Sequence, residues 1–270
     1  MATRSASRLA EAFERAKKEG RPALITYVIP GYPSAEETHE VFDAMVAGGA
    51  DIIEVEIPFS DPLADGTTMQ RVSFEALKAG TTPSLCIDFA RRMRERHPSL
   101  PIVFMTYLNP VLAYGPAQFA ADAAAAGADG VILVDLPVEE SKPYHEALAA
   151  NGLDLVFLVA PTSTDERLAL IGAQASGFVY CVSVAGVTGA RGELPVDLRD
   201  FLARVRRCTN LPLAVGFGLS RREHIEALTG LADGVVVGSA IMNLIDASEP
   251  RERAKAVRDY VEVLSGRRRP

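Results

Sequence analysis

The sequence predicts an α/β fold, a closed (β/α)8 TIM barrel with an extra N-terminal helix. Eight short runs rich in Val, Ile and Leu alternate with longer Ala-, Glu- and Arg-rich segments along the 270 residues. The apolar runs are nearly continuous, as expected for parallel strands that are buried on both faces. No linker, low-complexity tract or block of like charge interrupts the alternation, so we expect residues 1–270 to form a single barrel domain. An open doubly wound sheet is the competing interpretation, and eight units of similar size favour closure.

The alternation predicts the position of each element. The first helix, residues 7–19, carries Leu9, Phe13 and Ala16 on one stripe and is expected to cover the bottom of the barrel. The predicted strands are residues 24–29, 51–57, 101–107, 130–134, 155–159, 177–182, 212–216 and 234–237. The predicted helices that follow them are residues 35–47, 83–96, 116–126, 138–151, 164–174, 195–206, 221–228 and 249–264.

Composition excludes several classes of protein. The formal net charge is −7, which disfavours binding to nucleic acid or to an anionic membrane. No apolar stretch approaches the roughly 20 residues that a membrane-spanning helix needs. The three cysteines form no close pair, so neither a disulfide framework nor a zinc site is indicated. We therefore expect a cytoplasmic protein that binds neither nucleic acid nor membrane.

Two loops stand out at the end of the barrel where active sites lie, the C-terminal ends of the strands. The loop after the second strand, residues 58–66, mixes prolines with carboxylates. The loop after the sixth strand, residues 185–192, has three glycines within seven residues. We expect the second of these loops to act as a lid that excludes water.

Two glutamates in the second strand are the first candidates for chemistry. Glu54 and Glu56 alternate with apolar residues, so both side chains point to the same face. A carboxylate within an apolar strand is costly unless it is paired. Two interpretations are open. In the first, one or both glutamates pair with an arginine or reach solvent at the strand end. In the second, one of them is a general acid/base whose pKa is raised by burial.

Two aspartates follow in the loop 58–66. For Asp61 or Asp65 taken alone, a turn-capping role is the simpler interpretation. Four carboxylates within twelve residues of one strand-loop unit nevertheless indicate a catalytic cluster. Asp65, directly before Gly66, is placed where its side chain would hang over the mouth of the barrel.

Glycine-bearing turns mark a candidate anion site. Gly216 and Gly218 follow the seventh strand, and Gly238 and Ser239 follow the eighth. Glycine lets backbone N–H groups approach an anion, and the loops after strands seven and eight are where such barrels hold a phosphate. Either these glycines only allow tight turns, or they bind the phosphate of a substrate. Two such turns at these two places favour a phosphate ester.

The positions of other reactive residues narrow the chemistry. All five lysines and all four histidines fall in or beside predicted helices. A Schiff-base lysine inside the barrel, a His-ligated metal ion at its mouth and a His-activated nucleophile are therefore disfavoured. Carboxylate acid/base chemistry remains. Residues on or just past strand ends that are suited to line a pocket for a flat apolar group are Tyr27, Phe59, Met105, Tyr107, Leu158, Tyr180 and Phe217.

Seven short motifs occur in an order that is typical of one family. They are Gly31-Tyr32-Pro33-Ser34, the loop 58–66 preceded by Glu54, Tyr107-Leu108-Asn109-Pro110, Asp135-Leu136-Pro137, Ala185-Gly186-Val187-Thr188-Gly189, Gly216-Phe217-Gly218 and Gly238-Ser239-Ala240. With these motifs the chain resembles the α subunit of tryptophan synthase over nearly its whole length. The loop 58–66 is the most specific match.

The resemblance implies an activity and a role for each matching residue. The family cleaves indole-3-glycerol phosphate to indole and glyceraldehyde 3-phosphate by a retro-aldol reaction. In this chain Glu54 would protonate the indole ring carbon and remove the proton of the adjacent hydroxyl, and Asp65 would accept the indole N–H. The positions that match the phosphate site are Gly189, Gly218, Gly238 and Ser239. The positions that match the indole and glycerol pocket are Tyr27, Tyr107, Leu158, Tyr180 and Phe217, with Thr188 as the lid residue that closes toward Asp65.

The resemblance also implies a partner. The family's α subunit carries no cofactor or metal ion of its own and works with a β subunit that holds pyridoxal phosphate. The expected assembly is an α2β2 heterotetramer in which indole passes through a tunnel. Pro58, Asp61 and residues 109–114 match surfaces that meet the β subunit.

The chain departs from the family pattern at Ile29-Pro30, at Thr67 and, most consequentially, at Glu56, which stands where glycine is usual. Glu56 either intrudes on the substrate, raises the pKa of Glu54 or pairs with a group that the sequence does not identify. Three functions stay open: an α-subunit lyase that acts in a complex, a stand-alone indole-3-glycerol phosphate lyase, and a weakly catalytic barrel that mainly activates a β subunit. A phosphosugar isomerase or epimerase would need a different loop after the second strand.

Overall fold

The computed structural model describes residues 7–182, 196–216 and 218–268. Eight parallel strands pair in chain order, and the last pairs with the first, so the sheet closes into a barrel. The strands are β1 (Ala23–Val28), β2 (Ile52–Glu56), β3 (Ile102–Thr106), β4 (Gly130–Leu133), β5 (Asp154–Val159), β6 (Val179–Val182), β7 (Leu213–Gly216) and β8 (Gly234–Val237). The TIM-barrel prediction is confirmed, and the doubly wound alternative is wrong.

Helices surround the barrel and follow its strands. They are α1 (Arg8–Lys18), α2 (Ala35–Gly48), α3 (Thr67–Lys78), α4 (Pro83–Arg96), α5 (Leu108–Tyr114), α6 (Pro116–Ala125), α7 (Lys142–Ala150), α8 (Asp165–Gln174), α9 (Val196–Cys208), α10 (Arg222–Ala227), α11 (Ser239–Ala247) and α12 (Arg253–Ser265). In the described part of the chain, no helix combines the length and apolarity that crossing a membrane requires. The predicted lid, residues 185–192, lies outside the described residues.

Helix α1 closes the lower end of the barrel, as the sequence predicts. Its apolar stripe of Leu9, Phe13 and Ala16 is buried and joins the cluster formed by the inward-facing strand residues. Phe13 packs on Phe178 with ring centroids 5.6 Å apart. A side chain at Gly234 would clash with Phe13, because a Cβ atom there would lie 2.9 Å from the Phe13 ring. This apolar plug fills the lower end of the barrel interior.

Three helices, α3, α5 and α11, were not predicted, and none of them has a side-chain cap from the neighbouring sequence. Helix α3 starts after Gly66, and helix α11 starts after Gly238, which supply no side-chain cap. Helix α5 has its first amide, at Leu108, bound by the Asp135 carboxylate at 2.7 Å. Because Asp135 is distant in sequence, only the fold brings this cap to the helix.

Two predicted helices, residues 138–151 and 249–264, are divided, and the second forms a 3-10 turn, Pro250–Glu252, before α12. Residues 138–151 form a short 3-10 turn, Val138–Glu140, and then α7. Pro143 stands in the first turn of α7, where a missing N–H costs nothing. The same ring disfavours a continuous helix through this point, so a second helix begins there.

Candidate active site

A cavity of about 290 Å³ opens at the C-terminal ends of the strands. Its position matches the expectation that the chemistry of such a barrel lies at this end. The residues that line it are Tyr27, Glu54, Asp65, Gly66, Thr67, Thr68, Met69, Met105, Tyr180, Gly218, Leu219, Val236, Gly238 and Ser239. The cavity thus brings together eight of the residues predicted for the site, namely Tyr27, Glu54, Asp65, Met105, Tyr180, Gly218, Gly238 and Ser239.

Glu54 lies in the middle of β2 and faces the inside of the barrel. It pairs in register with Tyr27 of β1 and Val103 of β3, and only 1% of its surface is exposed. Its Oε1 atom has no hydrogen-bond partner among the described residues. Burial raises the pKa of Glu54 to about 8. The side chain is therefore mostly protonated at pH 7 and presents an unpartnered oxygen to the cavity.

Glu56 is also buried, but it does not belong to the cavity wall that the structure describes. Its carboxyl Oε1 accepts a hydrogen bond from the hydroxyl of Ser73, which lies on the buried side of α3. Burial and, to a smaller extent, the charge of Asp65 raise the pKa of Glu56, the Ser73 hydrogen bond lowers it, and the net value is about 8. Of the three interpretations left open by the sequence, pairing with a previously unidentified group is the correct one. That Glu56 raises the pKa of Glu54 is wrong, because burial alone accounts for the shift of Glu54.

Asp65 stands at the rim of the cavity, two residues before the start of α3. The Tyr107 hydroxyl donates to Asp65 Oδ2 at 3.0 Å, and the Ala64 amide donates to the same hydroxyl at 2.9 Å. Partial burial raises the pKa of Asp65, and the hydrogen bond from Tyr107 opposes that shift. The two bonds fix the carboxylate over the mouth, where the sequence predicts it. Tyr107 thus acts on Asp65 and is not part of the described cavity wall.

Two tyrosines form aromatic walls of the cavity. Tyr27 is 2% exposed, and its hydroxyl has no hydrogen-bond partner among the described residues. Tyr180 is buried, and burial together with the charges of Glu54 and Asp65 raises its pKa well above the ordinary value. Gly216 makes room for Tyr180, because a Cβ atom there would lie 2.3 Å from the Tyr180 hydroxyl. The Tyr180 phenol therefore stays neutral, and the two rings both line the cavity.

The remaining predicted pocket residues divide into two groups. Leu158 pairs in register with Tyr180 and packs against the inner cluster, but the described cavity wall does not include it. Thr188, Gly189 and Phe217 lie outside the described residues.

The glycine turns predicted to bind an anion meet at one side of the cavity. Gly218 has a φ of +70°, a left-handed conformation that favours glycine. Gly238 precedes α11 and lies close to Tyr27, since a Cβ atom there would be 3.4 Å from the Tyr27 Cβ. Ser239 is the first residue of α11, so backbone N–H groups of that helix's first turn and the positive end of its dipole lie beside the cavity.

Sequence reasoning missed the part of the wall that α3 supplies. Thr67, Thr68 and Met69 form the first turn of α3 and line the cavity. Met69 and Val72 are three positions apart, which is a helical spacing, but the segment is short and has no capping residue. The helical periodicity of residues 67–78 is the feature of the sequence that could have predicted α3.

The cavity wall contains neither lysine nor histidine in the part of the chain that the structure describes. The same described residues hold no group of three His, Cys, Asp or Glu side chains arranged to bind a metal ion. The ionisable side chains of the described wall are Glu54, Asp65 and two tyrosines. The arrangement suits proton transfer from and to a carboxyl group.

Comparison with known proteins places the chain in a family. The family model described as tryptophan synthase alpha chain matches residues 13–267. The tryptophan synthase alpha chain of Roseiflexus castenholzii is 49% identical over 260 residues, which are 96% of this chain and 100% of that one. The tryptophan synthase of Saccharomyces cerevisiae is 44% identical over 260 residues, which are 96% of this chain and 37% of the yeast protein.

Solved structures agree with the sequence comparison. A structure of Mycobacterium tuberculosis tryptophan synthase has a TM-score of 0.88 and 37% identity, with 97% of this chain and 98% of that chain covered. A tryptophan synthase alpha chain from Legionella pneumophila has a TM-score of 0.87 and 31% identity, with 97% of each chain covered. The family match, the relatives and the barrel agree over nearly the full length. The chain belongs to the tryptophan synthase alpha chain family.

Proposed function

We propose that the chain cleaves indole-3-glycerol phosphate to indole and glyceraldehyde 3-phosphate as the α subunit of a tryptophan synthase, in tryptophan biosynthesis. One observation carries the proposal: the buried Glu54 carboxyl group, whose Oε1 has no hydrogen-bond partner among the described residues, lies in a cavity whose wall also carries the glycine turns after β7 and β8. The Glu54 carboxyl group can deliver a proton to an apolar ring. The turns can hold a phosphate at the other end of the same molecule.

The reaction needs a proton at the indole ring carbon that bears the glycerol side chain. The Glu54 carboxyl gives its proton to that carbon, and the ring becomes an indoleninium cation. The resulting Glu54 carboxylate then takes the proton of the hydroxyl on the adjacent carbon. The carbon–carbon bond breaks, its electron pair returns to the indole ring, and the hydroxyl carbon becomes the aldehyde of glyceraldehyde 3-phosphate. Glu54 ends the cycle protonated, so it acts as acid and then as base.

Asp65 stabilises the cation formed in the first step. Its carboxylate, held by the Tyr107 hydroxyl, would accept the indole N–H as positive charge develops on the ring. Tyr27 and Tyr180 would flank the ring with flat aromatic surfaces. A single acid/base group typically raises the reaction rate about 10²- to 10⁴-fold. Orientation of the substrate by the pocket would supply much of the remaining rate enhancement.

The phosphate would bind at Gly218, Gly238 and Ser239. Ser239 begins α11, a nine-residue helix whose first turn offers free N–H groups and a favourable dipole. Gly189 would complete the phosphate site, and Thr188, Phe217 and Leu158 would complete the pocket, as their match to the family implies. Binding at the phosphate fixes the distance between the ring and Glu54.

Membership of the family implies a β-subunit partner. We propose that the assembly is α2β2 and that the chain needs no cofactor of its own, pyridoxal phosphate being bound by the β subunit. A groove of about 420 Å³ beside the cavity supports a docking surface, and it is lined by residues that include Pro58, Asn109 and Tyr114. Leu63 and Leu112, which are 90% and 50% exposed, add apolar surface close in sequence to the residues of this groove.

The proposed location is cytoplasmic, which the three free cysteines support.

Indole release from indole-3-glycerol phosphate tests the proposal. The full chain is assayed with and without the β subunit, alongside Glu54→Gln as the variant that cannot donate a proton. The wild type should release indole, and Glu54→Gln should lose nearly all of that activity while still binding glycerol 3-phosphate. Absence of indole with both wild-type preparations would contradict the proposal.

The same assay distinguishes the other two functions. A high rate that the β subunit leaves unchanged, with no complex in gel filtration, would favour a stand-alone lyase. A weakly catalytic activator would raise the activity of the β subunit equally well as wild type and as Glu54→Gln. Because Glu56 pairs with Ser73 and lies outside the described cavity wall, the observation that favoured a weak catalyst is removed.

A further inference from the structure

Glu56 is a buried carboxyl group that the proposed reaction does not use. It is the last residue of β2 and is 4% exposed. Its backbone carbonyl accepts a hydrogen bond from the Cys86 thiol of α4, with sulfur and oxygen 3.6 Å apart. Its side chain accepts from the Ser73 hydroxyl of α3. Glu56 therefore joins the end of β2 to two helices that lie outside the barrel.

The bond to Ser73 holds the helix that carries the cavity wall. Ser73 lies seven residues into α3, about 10 Å along the helix axis from its first turn. That first turn lines the cavity, and Asp65 precedes the helix by two residues. A rigid helix transmits the position of Ser73 to its own start. The Glu56–Ser73 bond thus restrains the direction in which Asp65 enters the cavity.

Helix α3 is also held from its other side. The Arg71 guanidinium pairs with the Asp246 carboxylate of α11, and the Thr68 hydroxyl donates to Asn243 at 3.2 Å. Helix α11 begins with Ser239 at the proposed phosphate site. The helix α3 is therefore fixed between the strand that bears Glu54 and the helix that would bind phosphate. Of these contacts, only the one made by Glu56 is buried beneath the helix.

The surroundings of Glu56 require it to be uncharged. Besides Ser73, the groups that face it are the Asp65 carboxylate, the Tyr107 hydroxyl and the Cys86 thiol. None of these is a cation, and no ion pair to Glu56 exists among the described residues. An ionised Glu56 would place a second negative charge beside Asp65 in a poorly hydrated position. Burial, with a pKa of about 8, keeps the group protonated at pH 7.

We propose that Glu56 is a positioning residue that, in its protonated form, fixes α3 through Ser73 and so sets the place of Asp65 opposite the indole N–H. When Glu56 ionises, its charge repels the Asp65 carboxylate and the productive arrangement is lost. The inference rests on the proposed function, because the role of Asp65 does. It assigns a use to the glutamate that replaces the family's usual glycine.

Four variants test the positioning role. Glu56→Ala removes the group, Glu56→Gln keeps its shape without a charge, and Ser73→Ala removes its partner. Ser141→Ala is the matched control, since Ser141 is equally buried and its hydroxyl bonds to Val138 and Gln174 instead. The kcat and KM for indole release and the thermal midpoint are measured for each full-length protein between pH 6 and 9.5, with the β subunit present.

At pH 7, Glu56→Ala should lower kcat at least about tenfold, and Ser73→Ala should lower it about threefold. KM should change less than about twofold in both variants, because a displaced catalytic group slows the reaction more than it weakens substrate binding. Glu56→Gln should restore most of the rate lost in Glu56→Ala. Between pH 7 and 9, the ratio of the Glu56→Gln rate to the wild-type rate should rise severalfold. The reason is that the side chain at position 56 ionises in this pH range in the wild type and cannot ionise in Glu56→Gln. Glu54 titrates in both proteins and cancels from this ratio.

Three results would overturn the proposal. One is a ratio of Glu56→Gln to wild-type rates that stays constant across the pH range. Another is equal kcat for Ser73→Ala and the Ser141→Ala control when their thermal midpoints fall equally. A third is full activity of Glu56→Ala. If the wild type itself released no indole, the proposed function would fail first, and that outcome is distinct from an active wild type with unaffected variants.

Discussion

Replacing Glu54 by glutamine is expected to stabilise the protein while it abolishes indole release. Burial raises the pKa of Glu54 from 4.5 to about 8. The folded chain therefore keeps a proton that the unfolded chain releases near pH 4.5. The stability linked to this proton is fully present below pH 4.5 and is lost as the pH rises toward 8, where the folded group also ionises. Glutamine is neutral at every pH, so the variant does not suffer this loss.

The size of the effect follows from the pKa difference. One pKa unit corresponds to about 1.4 kcal/mol of free energy. Relative to the wild type, Glu54→Gln should gain about 2 kcal/mol in free energy of unfolding at pH 6 and about 4 kcal/mol at pH 7.5. Because glutamine has the same shape and a similar polarity as the protonated acid, packing contributes little to the difference.

Urea unfolding of wild type and Glu54→Gln at pH 6.0 and 7.5 measures the two differences, at pH values above the isoelectric point of about 5.2. Glu139→Gln is the control, because Glu139 is exposed, pairs with Arg167 and has a lowered pKa. That variant should gain no stability. A Glu54→Gln protein that is no more stable than wild type at pH 7.5, or whose stability advantage does not grow with pH, would show that burial does not keep Glu54 protonated.

Three further variants probe other parts of the site. Asp65→Asn should lower kcat for indole release about 10²- to 10³-fold with little change in KM, because an amide stabilises the ring cation poorly; a near-normal kcat would remove Asp65 from the mechanism. Ser239→Ala should raise the KM for indole-3-glycerol phosphate about tenfold, the value of one hydrogen bond to a charged group; an unchanged KM would place the phosphate elsewhere. Gly216→Ala should displace Tyr180 and cost about 1–3 kcal/mol of stability, measured by urea unfolding; wild-type stability would show that the ring moves freely.

Strand β2 shows how much of the site the sequence predicts. The period-two alternation placed Glu54 and Glu56 on one inward face, and both are buried there. The alternation did not identify the partner of Glu56, because Ser73 lies in α3, a helix whose start has no capping side chain. The difference between the two glutamates, one free toward the cavity and one bonded beneath a helix, depends on packing between distant segments.

The support of Asp65 shows the same limit. Family motifs named both Asp65 and Tyr107 as site residues, and the structure joins them by a hydrogen bond across 42 positions of the chain. The cap that Asp135 supplies to α5 is equally non-local. Strand and helix periodicity depends on near neighbours, so it predicts the barrel well. Bonds between residues that are far apart in sequence arise only once the barrel has closed.

A ¹³C NMR titration of the glutamate carboxyl groups shows directly whether Glu54 is an acid at neutral pH, with Glu54→Gln and Glu56→Gln used to assign the signals of the two buried glutamates. We expect the Glu54 signal to titrate near pH 8 and to remain that of a protonated acid at pH 7. A Glu54 signal that titrates near pH 4.5, as in an exposed glutamate, would rule out the proposed role of Glu54, because no acid would then be present at neutral pH to protonate the indole ring.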